Sequence, residues 1–368
     1  MTKEEIIKMQ ISRIEKEIRD LPYHKGTEHH HAMMKARLAK LNDELNGSSS
    51  RGGGGGGIGY AIKHSGDASV VLVGLPSVGK STLLNAVTNA ESRVGNYDFT
   101  TLGVVPGMME YKGVKIQILD LPGIVEGAAK NKGFGKKVLS VIRASDLVVL
   151  MTDVKRIDWL KQVEDELYRS GMRLNTRPAK ISIHRTHKGA IQVIDPYQSF
   201  EKETVIEVAK EMGLSNAIIQ IGEKVEGIDK LIDALSKSIK YMASVEVVTK
   251  IDLNPNFKFP ISKNKENNLV LMCADKGIGL DDFKEKLWKG LGLVRVYLKR
   301  ERNLEADKNE PLILKSTSTL DNVLKRISNQ MRDDVNKAYI WGKNSRFPGQ
   351  EVSFSFQVFD EMEVYFGR

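Results

Sequence analysis

The chain has 368 residues, 41% of them hydrophobic, with a net charge of +9 at pH 7 and one cysteine. That length predicts two or more domains with packed cores, and a lone cysteine excludes an intramolecular disulfide. A mean hydropathy of −0.30, no apolar run of spanning length and a charged N-terminus from Lys3 exclude a membrane span and a secretory leader, so a cytoplasmic protein is expected.

Ile7, Ile11, Ile14, Ile18 and Leu21 are spaced 4, 3, 4, 3, and Met34, Leu38, Leu41 and Leu45 are spaced 4, 3, 4. Each set makes one apolar helix stripe. Thr2 and Glu5 fit a capping box, and Pro22 to Gly26 supply a break. A helical hairpin over residues 1–48 is predicted. Its stripes are read as mutual packing, with an exposed remainder offered to a protein partner. His29, His30 and His31 are consecutive, point about 100° apart on a helix, and so do not converge on one metal ion. Residues 49–65 include the run Gly52 to Gly57 and read as a linker without a core.

The stretch Gly74-Leu-Pro76-Ser77-Val78-Gly79-Lys80-Ser81-Thr82 fits G-x-x-x-x-G-K-[ST]. Strand-like Val70 to Val73 precedes it, and a helix start at Thr82 follows. The loop N–H groups and the helix N-terminus suit anionic oxygens, Lys80 reaches outer phosphates, and the Ser81 hydroxyl can ligate Mg²⁺. Asp120-Leu-Pro-Gly123 is a D-x-x-G at a strand end. Asp120 is expected to hold Mg²⁺ through water, and the Gly123 N–H to sense the γ-phosphate. Between the two lies Tyr97-Asp-Phe-Thr100-Thr101-Leu, where either Thr100 or Thr101 would complete the metal shell. The water-orienting Gln that many GTPases place after D-x-x-G is Ile124 here, which predicts slow intrinsic turnover. Glu126 is read as a solvated neighbour. Lys130, Lys132, Lys136, Lys137 and Arg143 form an acid-free run beyond it, suited to RNA phosphates or simply solvated.

Residues 66–173 are the first part of this nucleotide domain, and 174–240 exceed what it needs, so they read as an α+β insert. From Leu167 to Ile194 there are Arg169, Arg173, Arg177, Lys180, Arg185 and Lys188, two histidines and no acid. Such a run either neutralises rRNA phosphates or is a solvated surface. The nucleotide domain resumes over 241–292. There, Thr249-Lys250-Ile-Asp252 resembles the guanine-reading NKxD, with Thr for Asn. The carboxylate would accept two N–H bonds from guanine, a donor pair that adenine lacks there, and Lys250 would brace the phosphate loop. Cys273-Ala274 stands where a base-contacting Ser-Ala is usual. Residues 293–368 carry strand, strand, helix and closing strands in a β-grasp order, with Trp341, Phe354 and Phe356 read as core and base stacking as the alternative.

Together these motifs resemble the developmentally regulated GTP-binding family of the Obg-like GTPases, over essentially the whole chain. The matching strings are Gly74 to Thr82, Asp98 to Leu102, Asp120 to Ala128, His30 to Leu41, Ala338 to Gly342 and Phe347 to Gly349. The resemblance implies an α/β P-loop GTPase with an N-terminal hairpin, an inserted α+β domain similar to a ribosomal-protein domain, and a C-terminal β-grasp (TGS) domain. It implies GTP hydrolysis to GDP with Mg²⁺, on ribosomes or rRNA. Relatives with Asn in the phosphate loop are associated with potassium stimulation; Ser77 stands there, so K⁺ remains a candidate only. The alternatives are a nucleotide-gated RNA or ribosome scaffold with negligible unassisted turnover, an assembly factor in which GTP only sets conformation, and a regulator acting on a protein through the TGS domain.

Overall fold

The computed structural model of the chain describes residues 2–22, 24, 27–47, 66–88, 105–121, 135–254, 257, 268–327 and 335–367. It divides into two compact units, Met1–Ala61 with Val163–Met242, and Ile62–Gln162 with Ala243–Arg368.

In the first unit, helix α1 (Lys3–Asp20) begins on the predicted capping box: Thr2 N donates to Glu5 Oε2 at 2.7 Å, and Glu5 N to Thr2 Oγ1 at 3.2 Å. Helix α2 (Glu28–Gly47) packs against α1 and also has a second face. Ala32, Ala36, Ala39 and Asp43 repeat at 4, 3, 4, and the small side chains allow close approach. Ala32 and Ala36 are fully buried against Val205, Val208, Leu231 and Ile232 of the insert, with Ala39 beside them. Lys35 pairs with Asp229 at 2.8 Å, and the Asp43 carboxylate accepts from the N–H groups of Lys237 and Ser238 at 3.0 and 3.2 Å. The hairpin is therefore built onto the insert as well as onto itself.

The insert is a three-stranded sheet in the order β6-β8-β7, using β6 (Ile181–Arg185), β7 (Gln192–Ile194) and β8 (Ala217–Ile221). The helices Lys202–Glu211 and Ile228–Leu235 pack on the face that carries Ile183, Val193 and Ile219. Arg173 grips Asp233 through two 2.6 Å bonds, with its guanidinium 3.7 Å from the Tyr168 ring centroid. Burial would lower the Arg173 pKa, but the Asp233 carboxylate outweighs it and raises it. Both side chains are nearly buried, at 12% and 8% exposure. Asp233→Ala strands the guanidinium in that setting. It is expected to lower stability by about 3 kcal/mol, read from the urea midpoint followed by helical circular dichroism.

The second unit holds a mostly parallel sheet in the order β10-β9-β4-β1-β3-β2. Its strands are β1 (Ala68–Gly74), β2 (Val105–Tyr111), β3 (Val114–Asp120), β4 (Leu147–Asp153), β9 (Lys240–Thr249, entering from the first unit, where its first residues pair with β5, Met172–Leu174) and β10 (Leu269–Leu271). β1 and β4 are buried throughout, which explains why they read as unbroken apolar runs rather than alternating ones. Only β2 is antiparallel, paired with β3.

The C-terminal portion is β-rich: β12 (Leu312–Lys315), β11 (Leu293–Leu298), β15 (Met362–Gly367), β13 (Lys337–Trp341) and β14 (Gln350–Val352) lie in that order. The helix Leu320–Ile327 buries Leu320, Val323 and Leu324, and Leu320 and Val323 join Val296, Ile340 and Val364 in the core. Phe354 and Phe356 pack against this core. Trp341 is half-buried, with Lys299 Nζ 4.2 Å from its ring centroid. Asp146 of the sheet unit accepts from Ser69 N at 2.9 Å and from Lys315 at 3.2 Å. Burial pushes its pKa up, but these partners prevail and hold it below the usual carboxylate range.

Candidate functional site

A cleft of about 480 Å³ opens at the C-terminal ends of the parallel strands. This is where an open α/β sheet offers its ligand site. Residues 77–82 line one side, and Thr249, Lys250, Asp252, Cys273 and Ala274 line the other.

The phosphate side begins where β1 ends. A Cβ on Gly74 would lie 2.7 Å from the Met151 carbonyl and 2.9 Å from Val78 Cγ2, so the first loop position admits only glycine. Pro76 follows in the turn. Ser77 at φ 61° and Gly79 at φ 92° turn the loop, and the helix α3 (Lys80–Val87) starts directly after, carrying Ser81 and Thr82 in its first turn. The first turn of the helix lines the cleft, and a helix N-terminus, whose first N–H groups have no intrahelical acceptor, is an arrangement that receives phosphate.

Lys80 is 9% exposed, and its Nζ donates to the carbonyls of Gly74 at 2.9 Å and Leu75 at 3.1 Å. Burial lowers its pKa, the Asp120 charge opposes that, and Arg156 adds to the lowering. The ammonium is thus held by two neutral carbonyls with its charge poorly compensated, a state that an anion would relieve.

Ser81 Oγ donates to Asp120 Oδ2 at 2.8 Å. Asp120 is 1% exposed, and its Oδ1 has no hydrogen-bond partner among the described residues. An unpaired buried carboxylate oxygen is costly. A hydroxyl and a carboxylate side by side, both hard oxygen donors, fit Mg²⁺.

The base side is tied to the phosphate side. Thr249 Oγ1 lies 2.7 Å from the Val78 carbonyl and 3.0 Å from the Thr152 carbonyl, where its proton bridges loop and sheet. Lys250, at φ 58°, reaches across to donate to the Ser77 carbonyl at 2.6 Å. Thr249 therefore fastens the loop although it lacks an amide. Asp252 accepts from Lys276 Nζ at 2.9 Å. That bond, then one from the Cys273 thiol, lowers the Asp252 pKa. Burial and the same Asp252 contact push the Cys273 thiol up. Asp252 lines the cleft beside Cys273 and Ala274.

Thr100, Thr101, Gly123, Ile124 and Glu126 lie outside the described residues. Arg156 and Lys276 were not singled out by sequence reasoning. Arg156 clasps Asp153 at 2.6 Å and donates to the Pro76 carbonyl at 3.4 Å. Its signal in sequence is only a cation three residues past the end of β4, and Lys276 is likewise three past Cys273. Neither spacing belongs to a phosphate or base motif.

A family model described as a 50S ribosome-binding GTPase matches residues 69–185, and one described as the C-terminal region of the MMR_HSR1 domain matches 188–293. A GTP-binding protein of Methanocaldococcus jannaschii is 41% identical over 360 residues, covering 96% of this chain and 91% of its own length. Developmentally-regulated GTP-binding protein 2 of Homo sapiens is 35% identical, covering 94% of each chain. This chain belongs to the developmentally regulated GTP-binding protein family. It is a GTPase, built on an α/β P-loop core with a further β-rich C-terminal portion. Developmentally-regulated G-protein 3 of Arabidopsis thaliana is 36% identical and covers 96% of this GTPase and 97% of its own chain. Family membership carries GTP, GDP and Mg²⁺ as its ligands. Among the described residues of the GTPase, no helix is long and apolar enough to cross a membrane.

Proposed function

We propose that this GTPase is a Mg²⁺-dependent switch that cycles on the ribosome and hydrolyses GTP slowly when alone. The observation that carries the reading is the linkage inside the cleft, where the two residues that open the base motif, Thr249 and Lys250, hold the phosphate-loop carbonyls of Val78 and Ser77. Phosphate and base recognition are thereby set at a fixed separation. Lys80, the loop N–H groups and the α3 N-terminus take the phosphates; Asp252, with Cys273 and Ala274 beside it, takes guanine. Ser81 and Asp120 hold Mg²⁺, which supplies charge neutralisation at the phosphate oxygens when bound. Thr100 or Thr101 completes that set, and the Gly123 N–H senses the γ-phosphate. Ile124 cannot orient water, so the missing element comes from a partner or a monovalent cation. The ribosome reading draws on the family description and on the net charge of +9. The strand order of residues 293–368 supports a TGS β-grasp domain, a site for a protein regulator alongside the N-terminal hairpin.

The experiment is single-turnover GTP hydrolysis with and without purified ribosomes, in sodium and then in potassium buffer. A slow basal rate raised at least tenfold by ribosomes is expected. A rate raised by potassium alone would make the GTPase self-contained. Tight GTP binding without turnover under any condition would favour the second reading, a nucleotide-gated scaffold, which the aliphatic Ile124 supports.

A further inference from the structure

Five consecutive carbonyls of the phosphate loop, Gly74 to Val78, each face a side-chain donor. Gly74 and Leu75 take Lys80 Nζ, Ser77 takes Lys250 Nζ at 2.6 Å, and the Val78 carbonyl lies 2.7 Å from Thr249 Oγ1. Pro76 takes Arg156 Nη2 at 3.4 Å. Lys80 is the donor that a phosphate would draw away. The other three hold Pro76, Ser77 and Val78, which are neighbours. In a trans peptide the N–H of the following residue points opposite to the held carbonyl. These bonds therefore fix the N–H directions of Ser77, Val78 and Gly79, and all three residues line the cleft.

Arg156 belongs to neither the phosphate motif nor the base motif, and Asp153 aims it. Asp153 ends β4 and is the register partner of Thr249, which ends β9. Its buried carboxylate accepts from Arg156 Nη2 at 2.6 Å, from Arg156 Nε at 3.2 Å and from the Lys155 N–H at 3.1 Å. Burial pushes its pKa up, but the Arg156 and Lys155 bonds, with the charges of Arg156 and Lys250, hold it below the usual carboxylate range. The Arg156 backbone is pinned as well, since Thr152 Oγ1 donates to its carbonyl at 2.7 Å. Nη2 carries two hydrogens, so one serves the carboxylate and one is left for Pro76. A bond of 3.4 Å is weak alone, but a guanidinium already fixed by an ion pair loses little freedom in making it.

We propose that Asp153 and Arg156 are positioning residues for nucleotide binding. Asp153 fixes the guanidinium, and Arg156 joins Lys250 and Thr249 as the third anchor of the loop. Together they keep the loop N–H groups set for the α- and β-phosphates when Lys80 leaves its carbonyls. The ends of β4 and β9 thus grip one loop from two strands, and a preformed anion site has less ordering to do when its ligand arrives. Arg156 acts through the Pro76 carbonyl and needs no contact with the nucleotide. The proposal deepens the reading of the cleft as the GTP site and rests on it.

The test is isothermal titration of the full chain with GDP, inosine diphosphate and a non-hydrolysable GTP analogue. Arg156→Ala alone would strand a buried carboxylate, so the variant is Arg156→Ala/Asp153→Asn, which removes one charge of each sign and leaves the net charge unchanged. It is expected to bind GDP and the GTP analogue about tenfold more weakly, by the same factor, because the loop serves the phosphates that both carry. The ratio of GDP to inosine diphosphate affinity, which reads the base side, should stay as in wild type. Arg156→Lys keeps the ion pair but has one nitrogen where the fork uses two, and is expected to lose about threefold. Asp153→Asn alone should lose no more than the double variant, because it acts through Arg156. Wild-type affinity in the double variant or in Arg156→Lys, a loss confined to the GTP analogue, a shifted base ratio, or a larger loss in Asp153→Asn would each overturn the proposal. Lys80→Ala separates the two readings. If it too binds GDP as wild type does, the reading of the cleft fails and takes this proposal with it. If it loses GDP while the Arg156 variants retain it, this proposal alone fails.

Discussion

Lys80→Ala is expected to reduce single-turnover GTP hydrolysis by about 10²-fold to 10³-fold, the loss seen when one preorganised charge donor is removed from a transition state. The ammonium is already in place in the loop, bonded to the Gly74 and Leu75 carbonyls. A γ-phosphate has only to draw it away from weak acceptors, so little reorganisation opposes the charge interaction. The alanine variant should keep its fold, because those carbonyls gain water access when the side chain goes. A companion effect follows from pH. Burial holds the Lys80 pKa below its ordinary 10.5 in the nucleotide-free loop, and phosphate would raise it again. Binding therefore takes up a proton at alkaline pH, and GTP affinity should begin to fall below that ordinary value as pH rises. The Lys80→Ala variant should show none of that fall. Isothermal titration across alkaline pH, with hydrolysis measured on the same preparations, checks both.

Asp252→Asn is expected to weaken GTP by about 10²-fold and to create affinity for the xanthine nucleotide. The wild-type carboxylate offers two acceptors to the two guanine donors, and each charge-assisted bond is worth roughly 1.5–3 kcal/mol. An amide keeps one acceptor and presents one donor, which matches xanthine, where a carbonyl replaces the guanine amino group. Lys276 sharpens the experiment. It sits 2.9 Å from Asp252 and loses its ion pair in the variant, so Lys276→Gln alone measures how much of the loss is due to the cation. Unchanged GTP affinity in Asp252→Asn, with none gained for xanthosine triphosphate, would remove Asp252 from base recognition.

The nucleotide cleft was largely legible because its chemistry is local. A phosphate loop needs glycines at fixed positions and a lysine after them, and Gly74, Gly79 and Lys80 are neighbours in the chain. The base side was legible by its order, since Thr249 to Asp252 and Cys273 follow apolar strands that must end at the same sheet edge. The bonds joining the two sides were not visible. Nothing in Thr249 alone says that its hydroxyl meets the Val78 carbonyl, 171 residues away in sequence. Arg156 and Lys276 were missed for the same reason, as isolated cations acquire meaning only from what folds beside them. The hairpin is the instructive partial case. Its isoleucine and leucine stripes were plain, while the Ala32-Ala36-Ala39-Asp43 stripe was overlooked because alanine signals little hydrophobicity. What it signals is closeness, and that is how α2 uses it.

That alanine face has a temporal side. Ala32 and Ala36 meet Val205 and Val208, residues made about 170 positions later in the chain. At about 5–20 residues per second, the ribosome completes the hairpin roughly 10 to 30 s before the surface it packs on exists. During that interval the hairpin is a nascent amphipathic pair with one face bare, exposed to chaperones at the tunnel exit. Nascent chains stalled before residue 202 should hold that face open, while those stalled well past residue 242 and clear of the tunnel should close it. The first unit is thus assembled from the two ends of its own synthesis, and its folding is gated by translation of the segment in between.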